Sequence, residues 1–205
     1  MIRKMFLPPV LVLALVGAAA APAVAWGSGG GSKPGTIVDV LVAKSGSGAF
    51  DHSHSDYDIL ITAVKAANLV GPLSNPAASL TLFAPDDAAF IRTARSLGFT
   101  GWDEQGAWNF LVGALTGLGN GNPIPVLTTI LLYHVAPVKL GPIQVLFSRK
   151  IDTLANASFG VRFIQLVDNA PKLPNPYLNI FALNQQASNG VIHGITRVLI
   201  PVDIG

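Results

Sequence analysis

SLTLFAPDDAAF, residues 79–90, decides the fold. Leu80 to Ala84 is a short apolar run suited to a strand. Pro85 ends it, because proline has no backbone N–H to give to a ladder. Asp86 or Asp87 then supplies a side-chain oxygen to cap a new helix that buries Phe90. The stretch therefore predicts strand, stop and helix within twelve positions, with its acids explained by capping.

Upstream, Ile59, Leu60, Ala63, Val64 and Ala67 recur at the spacing of one buried helix face. Ser55 and Asp58 read as an S-x-x-D capping box for that helix, and Gly71-Pro72 as its end. Just before it lies FDHSHSDYDIL, residues 50–60. Capping explains Asp56 and Asp58 there. Asp51, His52 and His54 remain as a metal-binding candidate, since histidines two apart on a loop reach one ion and carboxylates suit zinc or calcium. The stretch has neither the turn glycine of a calcium loop nor H-x₃-H spacing, so a solvated loop ending in a cap is the preferred reading.

Further upstream, TIVDVLVA places Ile37, Val38, Leu41 and Val42 at helical spacing. WGSGGGSKPG reads as a linker. Residues 1–25 have a basic start, a short apolar middle and Ala23-Val24-Ala25, the pattern of a secretory signal peptide cut before Trp26. The domain assignment is a signal peptide at 1–25, a flexible linker at 26–35 and one domain at 36–203. Loss of Arg3 and Lys4 with the leader changes the balance from 13 basic and 11 acidic residues to 11 of each. That composition argues against a nucleic-acid binder, which needs clustered basic residues. The absence of cysteine excludes disulfide scaffolds, thiol catalysis and cysteine-ligated zinc. The expected product is secreted or periplasmic, with no stable membrane span after cleavage.

Downstream, residues 98–125 are rich in glycine around an amphipathic helix at Trp108 to Leu118. LTTILLYHV fits helix or strand by periodicity alone. SFGVRFIQLVD, LNIFALN and VIHGITRVLIP read as strands, with Asn189-Gly190 as a type I′ hairpin turn. Early helices and late strands predict an α+β domain. Asn156-Ala157-Ser158 is an N-glycosylation sequon wherever the host glycosylates.

Three segments together resemble the fasciclin-like (FAS1) domain family: TLFAPDDAAF at 81–90, Leu131-Leu132-Tyr133-His134-Val135, and NGVIHGITRVLIP at 189–201. The resemblance spans about residues 36–203. It implies a wedge-shaped β-sandwich with helices packed along one side, an exported non-catalytic adhesion or interaction role, and no cofactor. The implied interaction surface takes in Asp86, Asp87, Tyr133, His134 and His193, with core packing as the plainer reading of His134. The implied partner is a cell-surface or matrix protein or polysaccharide. Stretches 44–55 and 98–125 are longer than the family minimum.

Enzyme chemistry finds no support. There is no G-x-S-x-G elbow and no phosphate-cradling loop in strand–helix context. The alternative function is a soluble carrier of a carotenoid or lipid, since some fasciclin-like proteins bind carotenoids. Trp102, Trp108 and Phe110 are its candidate lining.

Overall fold

A computed structural model describes residues 34–46 and 48–201. The expected leader and residues 26–33 of the expected linker lie outside the described residues, as do 202 and 203 of the expected domain. No helix among the described residues is long and apolar enough to cross a membrane.

The chain opens with α1 (Ile37–Ser45), capped by Thr36, whose hydroxyl accepts from the Asp39 N–H while the Asp39 carboxylate accepts from the Thr36 N–H. Next come α2 (Asp58–Ala66), the short α3 (Val70–Leu73), β1 (Leu80–Pro85) and α4 (Asp87–Ser96). The strand–stop–helix reading of residues 79–90 is therefore borne out. α5 (Glu104–Leu118) and α6 (Ile124–Tyr133) follow, so LTTILLYHV is helical through Tyr133 and enters a strand at Val135. The remainder holds β2 (Val135–Ala136), α7 (Pro142–Phe147), β3 (Lys150–Asp152), β4 (Ser158–Arg162), β5 (Gln165–Val167), β6 (Gln185–Ala187) and β7 (Gly190–Ile195).

Two sheets result. The first has order β2-β1-β7-β6, with β1 and β7 parallel at its centre over six residue pairs, Leu80 opposite Gly190 through Pro85 opposite Ile195. The second is antiparallel, β3-β4-β5. Alternation along β1 and β7 sends side chains to opposite faces. Leu82, Ala84 and Ile192 join Ile37, Ile59, Leu60, Phe90 and Leu127 of the helices in one core cluster. Phe83 and Ile195 join Tyr133, Val145, Phe159 and Leu166 in a second cluster between the sheets. Phe83 meets Phe159 edge to face at 5.2 Å between ring centres. A sandwich with helices along one side is thus what the chain builds.

Four local expectations need correcting. The helix of residues 58–66 is stopped by Asn68 at φ 56°, a conformation asparagine tolerates, whereas Gly71-Pro72 lies inside α3. SFGVRFIQLVD is two strands, split where Phe163 takes φ 58°. LNIFALN forms a 3₁₀ turn at Ile180–Ala182. The hairpin at 185–195 exists, with Ala187 opposite Gly190, but neither Asn189 nor Gly190 has positive φ, so its turn is not type I′. Gly190 is required for another reason: a side chain there would collide with the Leu80 carbonyl. Asn189 is fully occupied, accepting from the Ile37 N–H at 2.9 Å and donating to the Leu73 and Asn75 carbonyls at 2.8 and 3.0 Å.

Candidate functional site

The two aspartates after Pro85 divide their work. Asp86 caps its own helix, its Oδ1 accepting from the Ala89 N–H at 2.7 Å. Asp87, the first residue of α4, caps a different helix: Oδ2 accepts from Asp58 N–H at 3.0 Å and Oδ1 from Ile59 N–H at 2.8 Å. α2 has no side-chain cap of its own, so the expected Ser55 capping box is absent. Physically, a carboxylate from across the fold reaches the positive helix end before the local serine does.

This leaves Asp58, first residue of α2, with no capping duty. It is fully buried, and neither carboxylate oxygen has a hydrogen-bond partner. Glu104, the first residue of α5, is also buried. Its Oε2 accepts from the Asp51 N–H at 3.0 Å and the His52 N–H at 3.5 Å, while Oε1 is unpartnered. The starts of α2, α4 and α5 therefore bring three acids together, and oxygens of Asp58, Asp87 and Glu104 lie within 4.8 Å of one another. A second trio, Asp51, Asp56 and Asp58, meets the same limit and shares Asp58.

The loop before α2 closes over this pocket. Besides the two N–H bonds to Glu104, its His54 and Asp56 carbonyls accept from the Ala88 and Asp87 N–H groups at 2.8 and 3.0 Å. Burial, then the charges of Asp56, Asp51 and Glu104, push the Asp58 carboxyl up to about 6, with Lys65 opposing. Burial and the neighbouring Asp56 carboxyl raise Asp87 as well. Of the three residues read as a metal candidate, the structure brings only Asp51 into these trios. His52 and His54 belong to neither.

The residues read as an interaction surface are placed otherwise. Tyr133, His134, His193 and Asp87 are buried and offer partners no surface. Asp86 is partly exposed and sits 3.9 Å from the Arg92 guanidinium. Each buried aromatic has fixed partners instead. Tyr133 donates to the Ser158 carbonyl at 3.0 Å. His134 donates from Nδ1 to the Ile130 carbonyl at 2.7 Å and accepts at Nε2 from the Leu199 N–H at 2.9 Å. That pairing fixes its tautomer, and burial lowers its pKa to about 4. His193 donates from Nε2 to the Leu140 carbonyl at 2.8 Å and accepts from the Asn184 N–H at 3.1 Å. Burial lowers its pKa too. These groups fasten α6, β7 and the C-terminal segment together.

Among the apolar candidates, Trp108 lines a cleft with Phe90, Leu97, Leu111, Leu118 and Ile130, enclosing about 50 Å³. Trp102 and Phe110 are not part of it. Trp102 is exposed, with the Arg95 guanidinium 3.8 Å above its ring. Phe110 packs on Phe99.

Sequence reasoning missed Glu104 and assigned Asp58 to a cap. The signal available was that acids begin three helix patterns, although only the fold shows that the three starts meet.

Comparison with known proteins agrees with this architecture. The sequence profile of the Fasciclin domain matches residues 55–201. An uncharacterized protein of Synechocystis sp., sll1735, is 28% identical over 150 residues, covering 72% of this chain and 92% of that one. The structure of a FAS1 domain pair from the insect cell adhesion molecule Fasciclin I superposes with a TM-score of 0.57 at 15% identity, over 82% of this chain. The match takes in about half of that two-domain chain, 51%.

Proposed function

The chain belongs to the Fasciclin domain family, and from that premise we propose that it is an exported, non-catalytic interaction module for a cell-surface or matrix protein or polysaccharide. Fasciclin domains are generally adhesion modules. The observation that carries the reading is a set of large apolar side chains left in water around the second core cluster. Val145 and Leu178 are buried in that cluster. Their near neighbours in sequence point outward: Phe147 is 84% exposed and Phe181 95%, with Ile143 and Ile180 also exposed. Phe163, at the β4–β5 turn, adds a third aromatic. Each forgoes roughly 1.5–3 kcal/mol of burial, and exposed aromatic side chains are the kind that anchor interfaces. The leader-like residues 1–25 support export.

The test is capture from the cell-surface and matrix fractions of the protein's own source. The wild-type chain is expected to retain a protein or polysaccharide partner. A Phe147→Ser, Phe181→Ser variant with unchanged Tm is expected to retain at least about tenfold less, since a few aromatic anchors dominate most interfaces. Empty wild-type capture, or equal capture by both, would overturn the proposal.

A second reading, carriage of a small apolar ligand, is supported by the Trp108 cleft. Its volume of about 50 Å³ is far below the ~300–1,000 Å³ of most ligand pockets, which favours the tip of an acyl or polyene chain over a whole carotenoid. Native mass spectrometry distinguishes the two. An extractable pigment or lipid supports carriage, and a ligand-free native preparation rejects it.

A further inference from the structure

We propose that the acidic cluster centred on Asp58, flanked by Asp87 and Glu104 on one side and Asp51 and Asp56 on the other, binds a divalent, oxygen-seeking cation of the calcium class. This goes beyond the interaction role and does not depend on it. The geometry comes first. Within each trio the carboxylate oxygens lie no more than 4.8 Å apart. Three oxygens within that limit lie no more than about 2.8 Å from a shared centre, so a small inward adjustment of the side chains gives one ion the calcium–oxygen distance of about 2.3–2.6 Å to each. Asp58 belongs to both trios and is the pivot.

An independent observation points to a ligand. Asp58 is 0% exposed and Glu104 2%, yet both Asp58 oxygens and Glu104 Oε1 have no hydrogen-bond partner. Asp56, 8% exposed, leaves Oδ1 unpartnered as well. Buried polar groups are normally satisfied, and buried carboxylates are paired or bound to metal. Four buried carboxylate oxygens are thus without partners in a cluster where α2, α4 and α5 begin.

Ligand chemistry narrows the ion. Every member of both trios is a carboxylate, which favours a hard cation over zinc or copper. The donors come from one irregular loop and three separate helices. Calcium accepts six to eight oxygens in varied geometry, whereas magnesium requires a near-ideal octahedron at about 2.0–2.1 Å. Asp51 is on the exposed side and provides the entry, with water completing the shell.

The experiment uses the whole chain after chelator treatment, with thermal unfolding and titration calorimetry against CaCl₂, MgCl₂ and ZnCl₂. Millimolar calcium is expected to raise Tm by roughly 3–10 °C, and magnesium by less. Asp58→Asn is expected to remain folded and to lose at least about tenfold in calcium affinity. Asp51→Asn, altering an exposed group, guards against misfolding and is expected to weaken binding by a smaller factor. The proposal is overturned if folded wild-type protein shows no calcium-dependent shift. It is equally overturned if Asp58→Asn binds calcium like the wild type, or if zinc alone binds and His52→Ala abolishes it.

Discussion

Two regions of this molecule bury polar side chains at comparable depth and treat them in opposite ways. Around the 189–200 segment, Asn189, His134 and His193 bond on every available side. In the acidic pocket, Asp56, Asp58 and Glu104 are equally buried but keep oxygens without partners. Burial alone therefore does not separate scaffold from site, whereas completeness of hydrogen bonding does. A satisfied polar group tightens a fold, while an unsatisfied one is stabilised only by a proton or a ligand from outside.

The comparison breaks first at its stronger end. Asn189→Ala is expected to cost about 3–5 kcal/mol in urea denaturation, because it strands the Ile37 N–H and the Leu73 and Asn75 carbonyls. A loss below about 1 kcal/mol would mean that these bonds are not structural.

A slightly smaller effect is expected from pH. The folded His134 pKa of about 4 lies below the ordinary 6.5. Neutral His134 therefore contributes stability that is complete above about pH 6.5 and is lost as pH falls toward and through 4. The full contribution is about 3 kcal/mol. Asp58 and Asp87, whose pKa values are raised, act in the opposite sense. The difference between wild type and His134→Gln across pH 4–7 isolates the histidine, and a flat difference would contradict the assignment.

At the acidic end the expected sign changes. In ion-free protein, Asp58→Asn is expected to stabilise or to shift stability by no more than about 1 kcal/mol, since it removes a buried carboxylate that has no partner. A loss above about 3 kcal/mol, measured by chemical denaturation, would place Asp58 with the satisfied scaffold. The smallest effect belongs to Ser55→Ala, expected within ~0.5 kcal/mol because Asp87 caps α2.

Much of the scaffold is legible in the sequence because its devices are local. Strand, proline and cap follow each other in residues 79–90, and the apolar face from Ile59 to Ala67 carries its helical period openly. Tyr133 and His134 sit inside an apolar run, so residue type alone requires fixed partners for them, and both have them. The site is less legible. Whether Ser55 or Asp87 caps α2 depends on which oxygen the fold delivers, and Glu104 reaches Asp58 only through packing of α5 against α4. Backbone conformation hides similarly: Phe163 at φ 58° turns one apparent strand into two, and no residue preference announces it.

The parallel pairing of β1 with β7 also governs when this fold becomes possible. Residues 80–85 are made early, but their central partner, 190–195, is the last strand among the described residues. A ribosome that has released β1 must synthesise over a hundred further residues before the middle of the first sheet closes. Until then Leu82 and Phe83 have no strand on that side, and contacts so distant in sequence make for slow closure. The centre of the first sheet thus closes only near the end of synthesis, after the helices and the strands of the second sheet have been made.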